Sequence, residues 1–208
     1  MTLHRPSPRP GPSTMAPDWI TPARLDRRAV LAGAAAALAW TGSSHAAETS
    51  RANAWVHGFA QAGGGEIRLM SHAGKPMLIV NTASLCGYTP QYAGLEQLWR
   101  TYGPRGLLVL AVPSDDFGGQ EPGDQASIDH TTHRYGVSFP VTVKSVVRGP
   151  QAHPFYRWAA LERPLDTPRW NFHKYLIDRD GRIAGAFASA IEPTDTRIAA
   201  AIATMLTG

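Results

Sequence analysis

The stretch NTASLCGYTP, Asn81 to Pro90, carries Cys86, the one cysteine of a 208-residue chain. A thiolate is a nucleophile toward electrophilic oxygen and sulfur, whereas a thiol enclosed in a core behaves as a small hydrophobe. Three positions after Cys86 stands Thr89, so this is not the Cys-x-x-Cys of a dithiol oxidoreductase. A single cysteine also excludes an intrachain disulfide and a cysteine-based structural zinc site within the chain. Two other stretches carry groups suited to holding a charged sulfur. VPSDDFGGQEPG (Val112 to Gly123) offers the amide of Gln120, and RWNFHKYLID (Arg169 to Asp178) offers the Trp170 indole N–H and the Asn171 amide. Neutral donors of this kind stabilise a thiolate without placing a full charge beside it. Taken singly, each also has a structural reading: a glycine loop, a core tryptophan and a turn-capping asparagine.

These groups can cooperate only if three distant segments meet, and the hydrophobic pattern says how. KPMLIVNTA is a continuous apolar run of the kind found in strands buried on both faces, and GLLVLAVP is a second. Between them, Leu95 to Tyr102 has helical spacing and stops near Gly103-Pro104. Strand, helix, strand predicts a parallel pair joined by a right-handed crossover. Cys86 then lies after the first strand and before a helix beginning near Pro90, whose positive end favours a thiolate. Gly87 leaves the thiol uncovered. The FGGQEPG stretch follows the second strand at the same carboxyl edge, where open α/β sheets place their sites.

Elsewhere, Glu66 to Leu69 reads as a short strand, DQASIDHTTHRYG as a helix ending at Gly136, and AHPFYRWAAL as another short helix. HKYLIDRDGRIAGAFA reads as a hairpin turning at Asp180-Gly181. EPTDTRIAAAIATMLTG reads as a final helix capped by Thr194 or Asp195 and ended by Gly208. The expected class is α/β and thioredoxin-like: a central mixed sheet flanked by helices.

The chain is 43% hydrophobic, enough for a sizeable core. Its net charge is +4, but residues 1–46 hold five arginines against two aspartates and so carry +3 of it. The remainder is near neutral and lacks the basic surface that nucleic-acid binding requires. Residues 1–46 read as an address. A Pro-, Ser- and Arg-rich start, within which Met15 is an alternative initiator, is expected to be disordered. Arg27-Arg28, the apolar Ala29 to Trp40 and the small-x-small Ser44-His45-Ala46 follow, as in a cleavable export signal of the twin-arginine kind. The apolar run is too short to span a bilayer. The expected organisation is this leader (1–46) and one domain (47–208), periplasmic and with no stable membrane association. A lone thiol in an oxidising compartment asks for a chemical reason.

NTASLCGYTPQYAGLEQLW, FGGQEPG and WNFHKYLID resemble the three signature blocks of the glutathione peroxidase family, in the family's order and spacing. FPVTVK and HPFYRW are similar to its intervening blocks, and the likeness runs from about Phe59 to Gly208. The resemblance implies a thioredoxin-like fold and a catalytic tetrad. Cys86 stands at the peroxidatic cysteine or selenocysteine, Gln120 at the family's glutamine, and Trp170 and Asn171 at its tryptophan and asparagine. It implies peroxide reduction through a Cys86 sulfenic acid, with no prosthetic cofactor and a thiol as reducing co-substrate.

The chain also departs from that pattern. The position of the resolving cysteine that many members carry is Thr132, and another frequent cysteine position is Ser114. The reductant is therefore expected to be external: glutathione, another small thiol, or a partner protein's cysteine. Asp115-Asp116 replace the family's Asn-Gln; facing the site they would disfavour a thiolate, and turned away they would not. The short connection between Trp158 and Trp170 points to a monomer, by analogy with the longer insertion of tetrameric members. Arg169 and Lys174 are candidate partners for a substrate carboxylate, or else ordinary surface charges. His130 and His133 have metal-compatible spacing with no third ligand nearby, so no metal is expected. Two other readings stand beside the peroxidase: a thiol redox sensor or relay with little turnover, and a non-catalytic binding domain.

Overall fold

The structure, a computed structural model, describes residues 53–207. The expected leader, its cleavage point and Gly208 lie outside the described residues. A 3-10 turn at Ala54–Val56 leads into a small antiparallel pair, β1 (Gly58–Ala60) and β2 (Glu66–Arg68). Then come β3 (Met77–Thr82), α1 (Gln91–Tyr102), β4 (Leu108–Pro113), α2 (Gln125–Arg134), α3 (Pro154–Glu162), β5 (Lys174–Ile177), β6 (Ile183–Phe187) and α4 (Thr196–Met205).

The main sheet has the order β4-β3-β5-β6. β3 and β4 are parallel, with Met77 opposite Leu108 and Thr82 opposite Pro113, as the strand–helix–strand pattern predicts. β5 runs antiparallel to β3 and β6 antiparallel to β5, so the sheet is mixed.

β3 and β4 are buried at every residue, and their side chains alternate between two cores. Met77, Ile79, Leu108, Leu110 and Val112 face one side, against Phe155, Trp158 and Ala159 of α3. Leu78, Val80, Val109 and Ala111 face the other, against Tyr92, Leu95 and Leu98 of α1 and Ile198 and Ile202 of α4. Full burial of one such aliphatic side chain stabilises the fold by roughly 1.5–3 kcal/mol. The sheet is therefore a rigid base for whatever leaves its carboxyl edge.

Helix limits follow local chemistry. Asp195 rather than Thr194 caps α4, its carboxylate accepting from Arg197 N–H at 2.9 Å, and the helix closes on Leu206. Asp124 caps α2 by accepting from Ser127 N–H at 3.1 Å. The sequence pattern did not signal β1. It is three residues long with one inward side chain, Phe59, so it shows no period. Ladder bonds and a bridge from Gln61 to Thr142 hold it in place.

Candidate active site

β3 ends at Thr82, and the chain turns through Ala83 to Pro90 before α1 begins at Gln91. Thr89 builds that turn. Its hydroxyl accepts from Cys86 N–H at 3.1 Å and lies 2.9 Å from Ala83 O and 2.7 Å from Cys86 O. Cys86 is 7% exposed. Among the described residues one hydrogen bond reaches its sulfur, donated by Tyr88 N–H at 3.4 Å. Gly87 has an ordinary φ, and a Cβ there would meet nothing within 4 Å, so the chain beside the thiol is open.

The segment after β4 is fastened to this turn. Leu85 N–H donates to Gln120 O at 2.9 Å, and Ser84 Oγ donates to Glu121 Oε2 at 3.0 Å. Gly118 and Gly119 make the bend with φ of 72° and 63°, where an L side chain costs roughly 1–2 kcal/mol. At Gly118 a Cβ would also stand 3.3 Å from the Trp170 ring.

The third segment enters from beyond α3. Asn81, fully buried near the end of β3, holds it at three points. Asn81 Nδ2 donates to Trp170 O at 3.1 Å, Asn81 N–H donates to His173 O, and Asn81 O accepts from Phe172 N–H. Phe172 has a φ of 64°, the one left-handed non-glycine among the described residues. Such strain costs of order 1–3 kcal/mol and persists only where surrounding bonds enforce it. Lys174 supplies one of them, its Nζ donating to Phe172 O at 2.7 Å.

The four expected residues thus come to one end of the sheet. Asn171 is fully buried and donates from Nδ2 to Gln120 Oε1 at 3.0 Å and to Phe117 O at 3.4 Å. Because Gln120 Oε1 is engaged, the Gln120 Nε2 donors are the ones left for a ligand. Trp170 is 40% exposed and packs its ring 6.1 Å from that of Phe117. Gln120 and Asn171 touch directly. Cys86 joins them through the Leu85–Gln120 backbone bond, and Trp170 through Phe117 and Gly118.

Several open expectations resolve here. Asp115 Oδ1 accepts from Glu121 N–H at 2.8 Å, and Asp116 Oδ2 accepts from Val147 N–H at 2.6 Å and Arg148 N–H at 3.1 Å. Both carboxylates hold backbone amides, so they serve as loop braces. Glu121, which the sequence reading passed over, is 1% exposed beneath the cysteine turn. Burial pushes its carboxyl above the usual carboxylate range, opposed by hydrogen bonds from Ser84 and by the charge of Lys144. Thr132 is buried on α2 with its hydroxyl on Ile128 O at 3.0 Å, and Ser114 is fully buried, so neither position supplies a thiol. His130 and His133 are exposed on α2, and no group of three or more His, Cys, Asp or Glu among the described residues could hold a metal.

Lys174 is neither a carboxylate partner nor a surface charge: it is fully buried. Burial pushes its ammonium from 10.5 down to about 8, with Glu192 opposing. Between those values the unfolded chain binds more protons than the folded one. Stability should therefore rise as pH rises from about 8 toward 10.5, while below about 8 the cost of a buried cation is present in full. Lys174→Met should abolish that rise, which urea midpoints on either side of the window would show. An equal rise in the variant would assign the effect to another group.

The Glutathione peroxidase family model matches residues 57–160, ending before Trp170. The chain is 39% identical over 159 residues to "Hydroperoxy fatty acid reductase gpx1" of Synechocystis sp., covering 71% of this chain and 94% of that one. It is 40% identical over 136 residues to a "Glutathione peroxidase" of Lactococcus lactis, covering 64% and 87%. The crystal structure of Trgpx in apo form superposes with a TM-score of 0.62 at 32% identity, covering 76% of this chain and 97% of that one. The fold is thioredoxin-like.

Proposed function

The chain belongs to the glutathione peroxidase family, and on that premise we propose that it reduces hydrogen peroxide or organic hydroperoxides at Cys86 with an external thiol as reductant. One observation carries the reading. The Asn171–Gln120 bond and the Leu85–Gln120 bond fasten three distant segments to the turn that carries Cys86.

The chemistry balances as follows. The Cys86 thiolate attacks one peroxide oxygen, an S–O bond forms and the O–O bond breaks. The departing alkoxide or hydroxide takes a proton and leaves as alcohol or water, and Cys86 becomes a sulfenic acid. A thiol R′SH condenses with it, releasing water and forming a mixed disulfide. A second R′SH displaces Cys86 and leaves as R′SSR′. Gln120 Nε2 and the Trp170 indole N–H are the donors suited to the developing charge, and Asn171 sets the Gln120 amide. With threonine at position 132 and serine at 114, the second thiol comes from outside the chain. The relay and binding-domain readings gain nothing from relatives that are named as enzymes.

The leader motifs support export to the periplasm by the twin-arginine route, and the short Trp158–Trp170 connection supports a monomer. The test is peroxide consumption by the purified protein with glutathione, other small thiols or a thioredoxin system. Sustained turnover with at least one small thiol is expected. One oxidation per molecule, with recovery by none of these reductants, would contradict the reading and favour a relay.

A further inference from the structure

Two residues grip the segment that carries Trp170 and Asn171. Asn81 does so with neutral groups, at Trp170 O, Phe172 N–H and His173 O. Lys174 does so with an ammonium, whose one hydrogen bond among the described residues goes to Phe172 O at 2.7 Å. That ammonium is fully buried. Enclosing a cation costs far more than enclosing a hydrocarbon chain of the same length. Val80 on β3 and Phe187 on β6 lie opposite Lys174, so the ladder gives it no counter-charge. Packing alone would be served by a methionine. What the lysine adds is a charged donor aimed at the carbonyl of Phe172, the one left-handed non-glycine among the described residues.

Phe172 directly follows Asn171, and Asn171 Nδ2 holds Gln120 Oε1. A continuous path of bonds therefore runs from Lys174 Nζ through the Phe172 backbone to the Gln120 Nε2 donors. Resting on the peroxidase reading above, we propose that Lys174 is a positioning residue for peroxide reduction. Its ammonium fixes the Phe172 carbonyl, which holds Asn171, and through it the Gln120 amide, in the orientation that the developing charge at Cys86 needs.

Among the described residues two titratable neighbours bear on this ammonium. Glu192, in the loop before α4, favours it, and Gln91 Nε2 at the start of α1 reaches the same carboxylate at 3.4 Å. His173, beside it in the chain, is pushed by burial down to about 4 and so is neutral wherever Lys174 titrates. Burial brings Lys174 itself to about 8. Above that value the bond to Phe172 O loses its charge, and charge-assisted bonds are roughly twice as strong as neutral ones. Positioning should then weaken in the same pH window in which the fold gains stability. A merely structural lysine predicts the reverse, since activity would follow stability.

The test follows Cys86 oxidation by hydrogen peroxide in stopped flow from about pH 6 to about pH 10. Each rate is divided by the thiolate fraction, which iodoacetamide alkylation measures for the same protein. The corrected wild-type rate should fall about fivefold as pH rises through about 8. Lys174→Met should be about tenfold slower near neutral pH and show no fall. Glu192→Gln keeps an acceptor for Gln91 but removes the charge that favours the ammonium, so its fall should come at lower pH. A level wild-type profile, a fall that persists in Lys174→Met, or a fall unmoved in Glu192→Gln would overturn the proposal. Should Lys174→Met fail to fold, the wild-type and Glu192→Gln profiles decide. The side-chain amide NMR signals of Asn171 and Gln120 report the same orientation without peroxide. They should shift through about pH 8 in the wild type and at lower pH in Glu192→Gln. Signals that stay fixed would also overturn it. If Cys86 is oxidised slowly at every pH, the peroxidase reading fails by itself, and the amide titration still decides whether Lys174 sets Asn171.

Discussion

Cys86→Ser should bring peroxide turnover down to the background of buffer and free thiol while leaving the fold intact. The substitution removes the chain's one thiol and with it the one atom that can become a sulfenic acid. Serine keeps the acceptor for Tyr88 N–H, and the Thr89 bonds that shape the turn are made by backbone atoms of residue 86. Circular dichroism and the melting transition should therefore match the parent. Turnover persisting in the variant would place the chemistry elsewhere and contradict the account of the site.

Asn171→Ala should slow Cys86 oxidation by up to the roughly 10²–10³-fold that loss of the Gln120 donor itself would cost, because it leaves that donor unoriented. Asn171 acts through Gln120. Its Nδ2 engages Gln120 Oε1 at 3.0 Å, which presents the Gln120 Nε2 donors, and it also braces Phe117 O. Residues acting as one unit are non-additive. Gln120→Ala combined with Asn171→Ala should consequently cost little more than either alone. Stopped-flow rates for the two single variants and the double variant measure this, and fully additive losses would show that the residues act independently.

How much of this was legible in the sequence depends on which interactions are local. The strands β3 and β4 were readable because a fully buried strand is apolar at every position, and Met77–Thr82 and Leu108–Pro113 nearly are. Placing Cys86 and Gln120 at one sheet edge followed from their standing just after those two strands. The meeting of Gln120 with Asn171 was not readable from spacing, since 51 residues separate them. The roles of charged residues were hidden for the same reason. Lys174 looks like a solvent-facing lysine, yet β5 is enclosed between β3 and β6 and all four of its residues are buried. Only the structure shows the left-handed Phe172 carbonyl that accepts its ammonium. Asp115 and Asp116 were ambiguous because their partners, the amides of Glu121, Val147 and Arg148, lie as far as 32 residues away.

The most direct measurement is stopped-flow tryptophan fluorescence of the purified protein mixed with hydrogen peroxide or an organic hydroperoxide, with mass spectrometry of the quenched product. Trp170, 40% exposed beside the site, is the natural reporter. The account predicts oxidation far faster than that of a free thiol, one added oxygen per chain located on Cys86, and no such phase in Cys86→Ser. Oxidation no faster than a free thiol would contradict the claim that Gln120, Trp170 and Asn171 arm Cys86.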